Sequence, residues 1–236
     1  MIVYKLLHLP ADFYKFVYMK SLNKKMFAFV ILFISLAYIE SAVVVYLREI
    51  YYPQGFRFPI KIIQNNIAWI EIGREAATII ILWFSAVLAA DKFKQRFAYF
   101  LFNFGLWDIF YYFWLKVFLN WPAEWLEWDV LFLIPLPWIS PWEAPVLVSI
   151  GFIFCAYLVL KYPHRFAEHI FNKWEWILEI ISAGLILWSF LWQSKYVLNG
   201  GIPDYYPWWI FIIGYALGIL LFFNRFQNRT KALKSA

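Results

Sequence analysis

Four carboxylates and one arginine lie inside hydrophobic runs long enough to cross a bilayer, all between its midplane and the same outer side: Glu40, Glu71, Arg74, Glu75 and Asp108. A charge near the bilayer centre costs about 2.5–3.5 kcal/mol on insertion scales. Such residues therefore turn toward a bundle interior, where they hold an ion, a proton, a polar solute or one another. Glu71, Arg74, Glu75 and Thr78 recur at i, i+3, i+4 and i+7, which stacks them on one helical face. Asp108, Tyr111 and Tyr112 follow the same rule, and Gly105 one turn earlier admits a close neighbour. Two phenols beside a carboxylate are expected to donate hydrogen bonds to it.

Four acids against one arginine is an excess that a low-dielectric interior does not tolerate uncompensated. Four remedies are open. Some acids hold a proton. Arg48 and Lys116, at the outer ends of their runs, reach in on flexible stems, with Asp129 at the same rim. A hard cation sits among Glu71, Glu75 and Asp108, since oxygen-only ligands suit calcium, magnesium or manganese rather than zinc. A cationic substrate is the fourth. Against all of these stands a purely structural arrangement, in which Arg74 locks to Glu40 or Asp108 and the other acids are hydrogen-bonded.

Other chemistries are excluded by residue type. The single Cys155 rules out an intramolecular disulfide and an iron–sulfur cluster, and the three histidines, His8, His164 and His169, all fall outside the apolar runs. Neither haem nor a zinc site is expected. The formal charge of +6 follows membrane topology and not nucleic-acid binding.

The elements that must position these side chains are transmembrane helices. The chain is 64% hydrophobic with mean hydropathy +0.63 and only 15% charged, as in a polytopic membrane protein. An all-α fold of about six spans is predicted: Met26–Leu47, Ile67–Ala90, Phe97–Leu119, Ala144–Leu160, Trp176–Gln193 and Pro207–Phe223. Fifteen lysines and arginines outside these runs fall on the side of both termini, and only Arg48, Arg57, Lys61 and Lys195 on the other. Both termini are therefore expected in the cytoplasm, in a bacterial or archaeal cytoplasmic membrane. With that orientation Glu40 lies about 21 Å past Met26, and Glu71, Arg74 and Glu75 lie roughly 6–12 Å below the outer surface.

Residues 1–25 read as a basic, amphipathic segment on the cytoplasmic surface or a plain topological leader, residues 26–223 as the membrane domain, and 224–236 as a basic tail. Between spans three and four, Asn120–Glu143 holds five tryptophans, four acids and four prolines without a lysine or arginine. Its apolar piece Val130–Trp138 is too short to span and reads as a re-entrant or interfacial element. Besides the lipid bilayer, the partners in view are other membrane subunits or further copies of this chain. The leading functional expectation is a site that binds or moves a small cation, proton or polar solute. The alternatives are an accessory subunit of a membrane complex and a metal-dependent enzyme acting on a lipid or isoprenoid.

Overall fold

The computed structural model describes residues 11–61, 65–134, 136–166 and 170–235, with side chains between Phe16 and Gln227 except at Asn65. His8, Pro135, His169 and the first ten residues of the N-terminal segment lie outside the described residues.

Six long helices carry the fold: α1 (Ala11–Tyr51), α2 (Asn65–Ala89), α3 (Phe93–Leu119), α4 (Glu143–Lys161), α5 (Lys173–Leu191) and α7 (Trp208–Ser235), with a short α6 (Ser194–Leu198) before α7. All except α3 and α6 are long and apolar enough to cross a membrane. At 27 residues α3 has the length, but its sequence carries Asn103, Asp108 and two adjacent tyrosines. The reason is its position. α3 is packed against α1, α2 and α4, so its polar side chains meet other helices, and Asn103 and Asp108 are buried.

α1 is longer than the expected first span. Its 41 residues extend about 60 Å at helical rise, and the stretch from Ala11 to Lys25 continues the same rod toward the N-terminus. This extension is held in place: Leu22 is buried, and Tyr18 Oη donates to the Leu160 carbonyl at the end of α4 (2.6 Å). Basic side chains tie the same end of the bundle together by reaching backbone carbonyls at helix C-termini and in the connections between helices. Lys25 Nζ donates to Ala89 O (2.9 Å), Arg96 Nε to Ala90 O (2.8 Å) and Arg225 Nε to Ile170 O (3.1 Å); Lys94 reaches Phe166 O. Above this layer Phe33, Ala37, Leu82, Ala86 and Phe102 close the interior.

The Trp- and Pro-rich connection is more ordered than an interfacial belt. After α3 ends on Asn120 in the left-handed conformation (φ 53°), strands β1 (Trp128–Val130) and β2 (Ile139–Pro141) pair antiparallel, with Asp129 opposite Ser140. The residues between them turn into the bundle. Leu131 N donates to Trp138 O and Trp138 N to Phe132 O, both at 2.8 Å, and the Phe132 ring packs on Trp107 (6.0 Å) and Phe104 (6.5 Å) of α3. The hairpin base is fixed by carboxylates that stand in for missing backbone partners: Glu127 accepts from Ala123 N (2.5 Å) and Glu143 from Leu126 N (2.5 Å).

α5 and α7 form a second packing unit. α5 begins on a capping box in which Asn172 Oδ1 accepts from Glu175 N (2.9 Å) and Glu175 accepts from Asn172 N (2.7 Å). Ser182 Oγ donates to Gly214 O (2.7 Å), an approach possible because a Cβ on Gly214 would stand 2.9 Å from that serine's carbonyl oxygen. Ser189 pairs with Tyr206 Oη (2.9 Å) and Gln193 Nε2 with Tyr205 O (2.9 Å). Ser182, Ser189 and Gln193 thus serve packing, as small hydroxyl residues usually do between apolar helices.

Candidate functional site

Glu40, Glu71, Arg74, Glu75, Asp108, Tyr111 and Tyr112 line one cavity of about 470 Å3, bounded by α1, α2, α3 and the hairpin. Arg48 and Asp129 line it too. The carboxylates are withdrawn from water, with Asp129 2%, Glu71 4%, Glu75 5%, Glu40 7% and Asp108 7% exposed, so each depends on its immediate partners.

Two arginines account for three of the five acids. Arg74 stands 2.7 Å (Nη2) and 2.8 Å (Nε) from Glu71 Oε2, one turn away on α2. Its Nη1 also pairs with Glu40 Oε1 on α1. Thr78 Oγ1 holds the second Glu40 oxygen (3.2 Å) while bonding back to Arg74 O (3.1 Å). The i, i+3, i+4, i+7 stripe therefore looks inward, and Arg74 bridges two helices that pack chiefly on α3.

Arg48, near the C-terminal end of α1, lies 3.2 Å from Asp129 Oδ1. Its guanidinium is sandwiched between aromatic faces, 3.9 Å from the Trp121 ring centre and 4.5 Å from that of Phe56. Nη1 has no hydrogen-bond partner among the described residues, and the two π faces take that place. Tyr112 Oη donates to the other Asp129 oxygen (3.2 Å). Burial pushes the Asp129 carboxyl above its usual range, while the Arg48 charge, the Val130 amide and the Tyr112 hydroxyl pull it back.

Glu75 and Asp108 are held differently. Leu133 N, at the hairpin tip, lies 3.0 Å from both Glu75 oxygens. Asp108 Oδ2 accepts from Ser149 Oγ of α4 (2.8 Å). Gly105 makes that last contact possible, since a Cβ there would stand 2.6 Å from Ser149 O. Among the described residues neither acid joins an ion pair.

Several sequence expectations need correction. The phenols do not serve Asp108: Tyr112 donates to Asp129, and Tyr111 is stacked on Trp107 (6.4 Å) while its carbonyl accepts from Ser41 Oγ (3.0 Å). Lys116 does not reach into the cavity; it donates to Pro122 O (2.8 Å) and Asn120 O (3.4 Å), closing the C-terminus of α3. Asp129 is not a rim residue but a buried partner of Arg48. Glu71, Glu75 and Asp108 are directed to Arg74, Leu133 and Ser149 respectively, and among the described residues no group of three or more acids, histidines or cysteines is placed to hold a metal ion.

Sequence reasoning missed the Leu133 amide, which no side-chain pattern can reveal, and Ser149. The latter had a signal, as a lone serine in the apolar run Ala144–Ala156. No family model, curated protein or solved structure matches the chain.

Proposed function

We propose that this chain is a six-span membrane protein with both termini in the cytoplasm, and that its cavity opens to the opposite side and binds a small cation, proton or polar solute. The observation that carries the reading is the charge left over: five buried carboxylates share two arginines, and Glu75 and Asp108 have only neutral donors. At an effective dielectric of 20 a monovalent cation 4 Å from a carboxylate gains about 4 kcal/mol. The effective desolvation cost is several kcal/mol per ion. A single carboxylate does not offset that cost, so the reading assigns the solute to both acids left without an ion pair, Glu75 and Asp108, which line the same cavity.

The other charged residues are positioning groups. Arg74 holds Glu40 and Glu71 in place and keeps them from competing for the solute, and Arg48 does the same for Asp129. Lys61, Tyr52 and Phe56, from the connection after α1, line the chamber as well. The hairpin tip, in this topology a re-entrant element, covers the binding pair. The basic and apolar layers at the cytoplasmic end support a closed inner side, so the site is a binding chamber and not an open conduit; passage would require the helices to move.

The test is calorimetric titration of purified protein in lipid nanodiscs with alkali cations and methylammonium, with proton release followed in parallel. Saturable binding that is lost in Glu75→Gln and in Asp108→Asn supports the reading. Absence of saturable binding and of proton exchange in the unsubstituted protein overturns it.

A further inference from the structure

A second cavity, of about 570 Å3, lies between α3, α4, α5 and α7. Its walls are apolar and largely aromatic, with Phe104, Phe132, Phe152, Trp176, Phe190 and Ile219 among them. Like the acidic chamber, it has the size of a site that encloses a small organic ligand. The two cavities adjoin. Asp108, Leu131 and Phe132 line both, so the Asp108 side chain belongs to the wall shared by a chamber with a cation deficit and a groove with almost no polar surface.

Ile180, on the α5 wall of the groove, is 67% exposed, so this wall stands at the outer surface of the bundle, on a helix apolar enough to meet lipid. The groove's other acid, Glu179, lies about 9 Å from the start of α5, whereas Asp108 lies about 22 Å from the start of α3 at the same end. Roughly 13 Å of apolar wall therefore runs between the two levels.

We propose that the ligand of the chamber is the head of a single-chain amphiphile: an amine or ammonium group held by Glu75 and Asp108, with its hydrocarbon chain in the groove. The proposal rests on the chamber reading above and adds the ligand class. Charge selects the head. A fatty acid would bring a carboxylate against Asp108 and Glu75, and a phospholipid would bring its phosphate along with any amine it carries; like charges repel there. An amine supplies the counter-charge those two acids lack, and its chain gains from burial in the groove what a chainless amine forgoes. Asp108 is the acid that the groove shares with the chamber, whereas Glu179 lies on the α5 wall toward the other end. Arg74, Arg48 and their acids then face whatever hydroxyl or other polar substituents the head carries.

The experiment uses the full chain in phosphatidylcholine nanodiscs and dodecylamine carrying a diazirine near the end of its chain. Cross-links are mapped by peptide mass spectrometry, with methylammonium affinity measured alongside. The expected result is labelling of groove residues on α5 and α7, suppressed at least tenfold in Asp108→Asn and in Ala183→Trp, whose indole fills the groove from α5. The carboxylate of equal chain length should give no labelling there. Retained methylammonium binding in Ala183→Trp reports that the chamber is intact; if that variant fails to fold, the amine against the carboxylate in the unsubstituted protein decides. Equal labelling by both head groups, or methylammonium binding with no chain labelling of the groove, overturns the amphiphile and leaves the chamber standing. Failure of both amines to bind overturns the amphiphile, and the chamber reading falls with it where alkali-cation binding and proton exchange are absent too.

Discussion

The backbone amide of Leu133 lies 3.0 Å from each carboxylate oxygen of Glu75, so a loop residue and a helix residue 58 positions apart hold each other in place. A hydrogen bond to a charged group contributes about 1.5–3 kcal/mol. Glu75 therefore anchors the hairpin tip as well as lining the chamber. Replacing it with alanine should raise amide exchange across residues 131–138 by one to two orders of magnitude, whereas Glu75→Gln, which keeps an acceptor oxygen, should retain most of the protection. Exchange unchanged in Glu75→Ala would show that the hairpin is held by its aromatic packing alone.

Arg74 is the partner on which Glu40 and Glu71 both depend. Removing one member of a buried ion pair costs about 3–5 kcal/mol, because the remaining charge stays buried. Arg74→Met should lower unfolding stability in that range, and adding Glu40→Gln with Glu71→Gln should recover most of it. Unfolding in mild detergent followed by circular dichroism reads the difference. A triple variant no more stable than Arg74→Met would mean that packing, not charge, is what Arg74 supplies.

Gly105 sets the spacing of α3 and α4. A Cβ there meets Ser149 O at 2.6 Å and Ile153 Cγ1 at 2.8 Å, so Gly105→Ala should cost about 1–3 kcal/mol, the usual range for overpacking a tight contact. It should also stretch the Ser149–Asp108 hydrogen bond and weaken solute binding. Stability and affinity equal to those of the unsubstituted chain would count against the close contact.

Asp129 predicts a pH dependence of definite sign. Burial, the largest influence, raises its carboxyl above the usual value near 3.9, so the folded chain holds that proton at pH values where the unfolded chain has lost it. The contribution to stability is then fully present below the unfolded value and declines as pH rises through the folded one. Melting temperature measured from pH 4 upward should fall in the unsubstituted protein relative to Asp129→Asn. A relative rise over that window would show that Arg48 outweighs burial.

Features that depend on local period and local composition are legible in the chain before it folds. Apolar runs of bilayer length mark the helices, because a backbone in lipid must satisfy its hydrogen bonds within the segment. The 3.6-residue repeat puts Glu71, Arg74, Glu75 and Thr78 on one face wherever that helix goes, and Gly105 marks a close approach because any other residue brings a Cβ. Only the tertiary structure decided which groups meet. Arg74 pairs with Glu40 and not Asp108, Asp108 with Ser149 and not the tyrosines, Lys116 with loop carbonyls, and the connection after α3 folds as a hairpin tied to Glu75. Each of these depends on the rotation and crossing of helices distant in sequence. A shift of one residue in facing, about 100° around a helix axis, would have exchanged the partners while leaving every run and every spacing unchanged.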